Sequence, residues 1–125
     1  MSKETVKSAE RIVQYILVRS DLFTKLKWPK GAVMAQACHA SNAVLHMFRD
    51  DTHVKEYLSD VDNMTTVILG GESESALLEL QTRLQGVIDH KLWIEQPEGI
   101  VTALATKPYP KSIVAPYFTP FKTLK

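Results

Sequence analysis

Ile12-Val13-Gln14-Tyr15-Ile16-Leu17-Val18 is apolar and β-branched almost without a break, the pattern of a strand covered on both faces. Arg19-Ser20-Asp21 ends it, and residues 22 to 30 read as a lysine-bearing loop in which Pro29 suits the turn before a helix. Val33, Ala37, Ala40, Val44 and Met47 or Phe48 then recur at helical spacing and predict a helix from about Gly31 to Arg49. Ala32, Gln36, His39 and Ala43 form a neighbouring stripe. A short second helix follows, with Thr52 as N-cap and Val54, Tyr57, Leu58 and Val61 as its apolar face. Thr65 to Leu69 predicts a second strand, stopped by Gly70-Gly71. Ser73 caps a third helix faced by Leu77, Leu80 and Leu84, with Gly86 at C′. Lys91 to Ile94 and Ile100 to Thr106 predict two antiparallel strands joined by the turn Gln96-Pro97-Glu98-Gly99. In the tail, Pro110 suits the first turn of a short helix, Lys111 to Ala115, which Pro116 kinks or ends. This order predicts an α/β sandwich with a mixed four-stranded sheet.

The length of 125 residues fits one domain. Residues 1–11 read as a polar N-terminal tail and residues 12–125 as the folded unit. The N-terminus has no apolar core of a secretory signal and carries acids that a transit peptide lacks. No apolar run approaches the roughly 18 residues of a membrane span. The single cysteine excludes an internal disulfide and suits a reducing compartment. Net charge is only +1, but the basic residues are clustered. Lys25, Lys27, Lys30 and Arg49 stand in an acid-free stretch, as do Lys107, Lys111, Lys122 and Lys125. Where two such stretches meet, a positive face can steer a polyanion; apart, they are solvated surface.

Candidate chemistry is concentrated in few places. His39, His46 and His53 drift around a helix at intervals of seven and do not converge as metal ligands. Cys38 and His39 point roughly 100° apart on a helix. Cys38 aligns with Met34 and Leu45, so it reads as a buried, inert thiol. His39 is either a satisfied structural histidine or a polar group beside Gln36 at a cleft. Glu95 and Glu98 flank a turn at a strand end, where α/β folds place ligands, and a carboxylate there suits a general base. Trp28, in the basic loop, suits stacking on a base beside phosphate contacts; Trp93 reads as core. No glycine-rich phosphate loop is present in the sequence.

These residues resemble the type 2 peptidyl-tRNA hydrolases, and more closely their divergent eukaryotic branch. The resemblance runs from Ile12 to Leu124. It is carried by the strand from Gln14 to Leu22, by Lys30-Gly31-Ala32-Val33-Met34-Ala35-Gln36-Ala37-Cys38-His39-Ala40, and by Leu92 to Glu98 followed by Lys107-Pro108-Tyr109-Pro110. It implies a three-layer α/β/α sandwich, a cytoplasmic setting, frequent homodimers and hydrolysis of the ester between a peptide and the 3′ ribose of tRNA. It implies no metal and no cofactor. Gln36, His39 and Thr102 match family positions and, with Glu95, form the expected catalytic group. Lys25, Lys27, Lys30 and Trp28 are the expected substrate contacts. Two family positions differ: a catalytic lysine falls on Ala32 and an aspartate on Gln96. Those losses point to weakened activity, and the alternative is a non-catalytic module that binds RNA or a protein.

Overall fold

The computed structural model describes residues 10–125; residues 1–9, most of the expected tail, lie outside the described residues. The fold is mixed α/β. In chain order its elements are β1 (Ile12–Arg19), α1 (Asp21–Thr24), α2 (Lys30–Met47), α3 (Thr52–Leu58), β2 (Thr66–Gly71), α4 (Glu74–Leu84), β3 (His90–Glu95) and β4 (Ile100–Thr106), and all but the short α1 follow the hydrophobic pattern. The tail adds β5 (Tyr109–Pro110), α5 (Lys111–Val114) and β6 (Lys122–Thr123).

Among the described residues the sheet has six strands, not the four expected. Its order is β3-β4-β1-β2-β6, with β5 paired to β1. The two additional strands have two residues each, too few for any side-chain alternation to register in sequence. The pairing is mixed as expected: β1 and β2 run parallel, β3 and β4 antiparallel. Other boundaries also moved. The loop after β1 begins with the helical turn α1. β2 runs through Gly70 and Gly71 rather than stopping before them. At Gly71 a Cβ would lie 3.0 Å from Leu77 Cδ1 and 3.2 Å from Leu17 Cδ2, so glycine lets α4 seat on the sheet. As expected, the short helix α5 ends just before Pro116, at Val114, and Pro116 sits in the 3₁₀ turn Ala115–Phe118 that follows.

Central β1 explains the apolar run that forms it. Val13, Tyr15 and Leu17 join Leu77, Leu80 and Leu84 of α4 in one cluster, where the Tyr15 ring stacks on Phe118 at 4.7 Å. Ile16 and Val18 join Val33, Ala37, Ala40 and Val44 of α2, with Ala103 and Ala105 of β4, in another. Ser73 caps α4 by accepting from the Ala76 N–H, and Gly86 takes φ +79° just past its end, a conformation that costs glycine little.

The cap of α3 is a correction. Asp51, not Thr52, is the N-cap: its carboxylate accepts from the His53 and Val54 N–H groups. The same oxygen lies 3.0 Å from Lys107 Nζ. Lys107 is only 3 % exposed, and its ammonium sits 3.8 Å from the centre of the Tyr109 ring. Burial works against the Asp51 charge. The Lys107 hydrogen bond, the two amides and the Lys107 charge outweigh it and hold the carboxyl below the usual aspartate range.

Asp51→Ala therefore removes a cap and leaves a buried cation unpaired, at a cost of about 3–5 kcal/mol. A folded pKa below the unfolded one means the contribution is complete above the unfolded value and disappears as pH falls through the folded one. Urea midpoints of the parent and Asp51→Ala should differ most near neutrality and converge below about pH 4. A gap that stays constant into strong acid would contradict this account.

Candidate active site

Helix α2 positions the site. Its small residues pack on the sheet, and Gln36, also 2 % exposed, is buried with them. A buried carboxamide needs partners. Gln36 Nε2 donates to the Ala32 carbonyl at 3.1 Å, and Gln36 Oε1 accepts from Thr102 Oγ1 at 2.8 Å. Nε2 carries two N–H groups, so one remains for another acceptor.

Thr102 reaches Gln36 because β4 is bulged. Trp93 pairs with Ala103 and Ile94 with Val101, so Thr102 is the additional residue opposite that step of β3. Simple alternation would put Thr102 on the face of Leu104, under α4. The bulge turns it instead to the face of α2, and Val101 takes the opposite one. Thr102 is wholly buried.

Gln36 opens into a cleft of about 320 Å³. Trp28, Pro29, Ala32 and Ala35 form one wall, and Glu95 and Glu98 the other. Glu95 ends β3 and Glu98 lies in the turn after it. That turn is closed by the Gly99 N–H donating to the Glu95 carbonyl at 2.8 Å. One Glu95 oxygen accepts from Trp93 Nε1 at 3.1 Å. His39, exposed on α2, places its ring 5.1 Å from that of Trp93.

Of the expected site residues, Trp28, Gln36 and Glu95 meet at this cleft, and Thr102 braces Gln36 from below. His39 is neither a buried, anchored histidine nor part of the lining; it covers Trp93. Trp93, read as core, is half-buried and acts as a donor to Glu95.

Lys25, Lys27 and Lys30 are exposed, and none lines the cleft. Lys30 projects from the other side of α2, where it borders a second cavity of about 560 Å³ with Met34, Ala37, Cys38, Leu124 and Lys125. The two basic stretches thus meet at Lys30 and Lys125, while Lys107 is neutralised by Asp51. Cys38 is exposed, contrary to expectation. Its stripe includes Met34, which is 63 % exposed, so that stripe faces outward rather than into the core. Arg19 was not singled out by its sequence. It is 9 % exposed and forks onto Asp21 through two bonds of 2.9 Å. The Asp21 hydrogen bond raises its pKa further despite burial.

Fold and cleft together describe a mixed α/β domain whose buried carboxamide and strand-end carboxylate share one opening. Residues 12–124 match the family described as peptidyl-tRNA hydrolase PTH2, and the chain belongs to that family. It is 46% identical over 116 residues to a Mus musculus protein named "Putative peptidyl-tRNA hydrolase PTRHD1", a match covering 91% of this chain and 83% of that one. The Homo sapiens protein of the same name matches equally, at 46% identity over 116 residues.

Thr102→Val keeps the volume but leaves Gln36 Oε1 buried and unpaired. It should lower stability by about 1–3 kcal/mol in urea denaturation. No loss would mean that the hydrogen bond does not hold Gln36.

Proposed function

We infer that the chain hydrolyses the ester joining a peptide to the 3′-terminal ribose of tRNA. Family membership supports the reaction. The observation that carries it at residue level is the arrival of Gln36 and Glu95, from distant parts of the chain, at one cleft.

In this mechanism Glu95 takes a proton from a water molecule, and the water oxygen bonds to the ester carbonyl carbon. The carbonyl electrons move onto its oxygen, which accepts the remaining Nε2–H of Gln36. The carbon–oxygen bond to ribose then breaks, and the proton passes from Glu95 to the leaving 3′ oxygen. Thr102 positions Gln36. His39 and Trp93 position Glu95. Trp28 offers a face for the terminal base, and Lys25, Lys27 and Lys30 contact acceptor-end phosphates outside the cleft. The tRNA is the partner this chemistry requires, and we place the reaction in the cytoplasm. The two apolar clusters support a three-layer arrangement, with α2 and α4 on opposite sides of the sheet.

Turnover of an N-acetylaminoacyl-tRNA tests the assignment. Glu95→Gln should slow it by about 10²–10⁴-fold, the usual worth of a positioned base. Gln36→Ala should slow it by about 10²–10³-fold, the cost of an oxyanion donor. A parent rate no higher than background would sink the catalytic reading.

Among the described residues no lysine lines this cleft, and Ala32 lines it beside Gln36. Ala32→Lys would add a cation near the developing oxyanion and should raise kcat by about tenfold or more. An unchanged rate would mean that the site is limited elsewhere.

A further inference from the structure

The backbone pairing of β1 with β4 ends at Val18–Ala103. Past that pair, the two strands are linked by a side chain. Arg19 Nη1 donates to the Val101 carbonyl at 3.0 Å. Two further donors go to Asp21, Nε to Oδ1 and Nη2 to Oδ2, both at 2.9 Å. The guanidinium is planar and its donors have fixed directions. A fork held on one side through Nε and Nη2 therefore fixes the direction of Nη1 on the other.

Val101 is not an arbitrary acceptor. Its carbonyl and the Thr102 nitrogen belong to one planar peptide unit. Holding the Val101 oxygen holds the orientation of the Thr102 backbone at the bulge. Thr102 is the residue whose hydroxyl fixes Gln36 Oε1, and Gln36 lines the cleft.

We propose that Arg19 is a positioning residue for hydrolysis: through the Val101 carbonyl it sets the Thr102 hydroxyl against Gln36, and so sets the Gln36 amide in the cleft. The proposal rests on the reading of Gln36 given above. Arg19 touches no substrate. It orders a chain of contacts running from Asp21 to the cleft, and it ties the end of β1 to the chemistry.

A double-mutant cycle in kcat and KM tests this, using Arg19→Met, Thr102→Val and the pair. Arg19→Met should lower kcat by about tenfold or more while KM stays within about twofold. In the Thr102→Val background, Arg19→Met should cost almost nothing further, because both act through the same hydroxyl. Multiplicative losses would overturn the proposal. Arg19→Lys, which keeps a donor and the charge, should recover more activity than Arg19→Met; equal recovery would point to packing alone. Where Arg19→Met does not fold, Asp21→Asn loosens the same fork, and should lower kcat less but with the same dependence on Thr102.

The Gln36 side-chain amide signals in an NMR spectrum separate the two readings. If no variant and no parent turns over, the hydrolase assignment fails. The amide signals still decide Arg19: displacement in Arg19→Met matching that in Thr102→Val supports it, and unmoved signals overturn it.

Discussion

Alanines on two facing surfaces govern this structure. Ala37 and Ala40 of α2 meet Ala103 and Ala105 of β4 in one buried cluster. Small side chains let a helix lie close to a sheet, and that closeness allows the Gln36 carboxamide to reach a strand hydroxyl at 2.8 Å. A larger residue at any of these positions would have to displace the helix. Such a shift would break a buried hydrogen bond, whose cost exceeds that of an exposed one because no water replaces the lost partner. The packing constraint and the chemistry are thus a single constraint. α2 cannot move away from β4 without disarming Gln36.

The opposite faces of α2 are put to different uses. Gln36 and Ala32 face the carboxylates of the β3–β4 turn, whereas Lys30 and Met34 face the cavity bordered by the chain's last residues. Roughly half a helical turn therefore separates Lys30 from the Ala32 and Gln36 side of the helix. On the proposed reading, a polyanion drawn to the lysines stays outside the cleft, where the two glutamates would repel its phosphates. The ester, which is neutral, is the part of a peptidyl-tRNA that suits the interior.

Legibility followed length. β1, α2, α4 and β4 each carry enough residues for their periodicity to declare the element and its buried face. β5 and β6, at two residues each, carry no period at all. The site was legible as residue types but not as geometry. Gln36 stood out as a polar group on a bland helix, and Glu95 as a carboxylate at a strand end. Thr102 came only from the family pattern, because alternation assigns it to the wrong face. A bulge is one added residue, invisible without the partner strand. Arg19 read as the end of a strand, since nothing in sequence says that its fork would close on Asp21 and a distant carbonyl. Cys38 misled for a different reason: apolar spacing marks a stripe but not which way it faces, and the Met34 stripe faces out. Asp51 was missed as a cap because Thr52 beside it is also a capping type; the Asp51 carboxylate takes the cap and meets Lys107 as well.

In the proposed reaction, a cleft lined by carboxylates and, among the described residues, by no lysine would place particular weight on neutral donors. A charged group near the ester would stabilise an oxyanion even when loosely held, because Coulomb attraction falls slowly with distance. An amide N–H does so only when it is aimed, since a hydrogen bond weakens steeply with angle. Gln36 would then have to be rigid to serve the proposed reaction, and its hydrogen bonds are made with Ala32 and Thr102. The Ala32 carbonyl accepts from one of its N–H groups and the Thr102 hydroxyl donates to its oxygen, so both ends of the carboxamide are held. In such a site the rate follows the order of the surrounding network more than the charge of the groups at the surface. Burial sharpens this, because the same low-dielectric setting that strengthens an aimed donor leaves a misaimed one with nothing to bond.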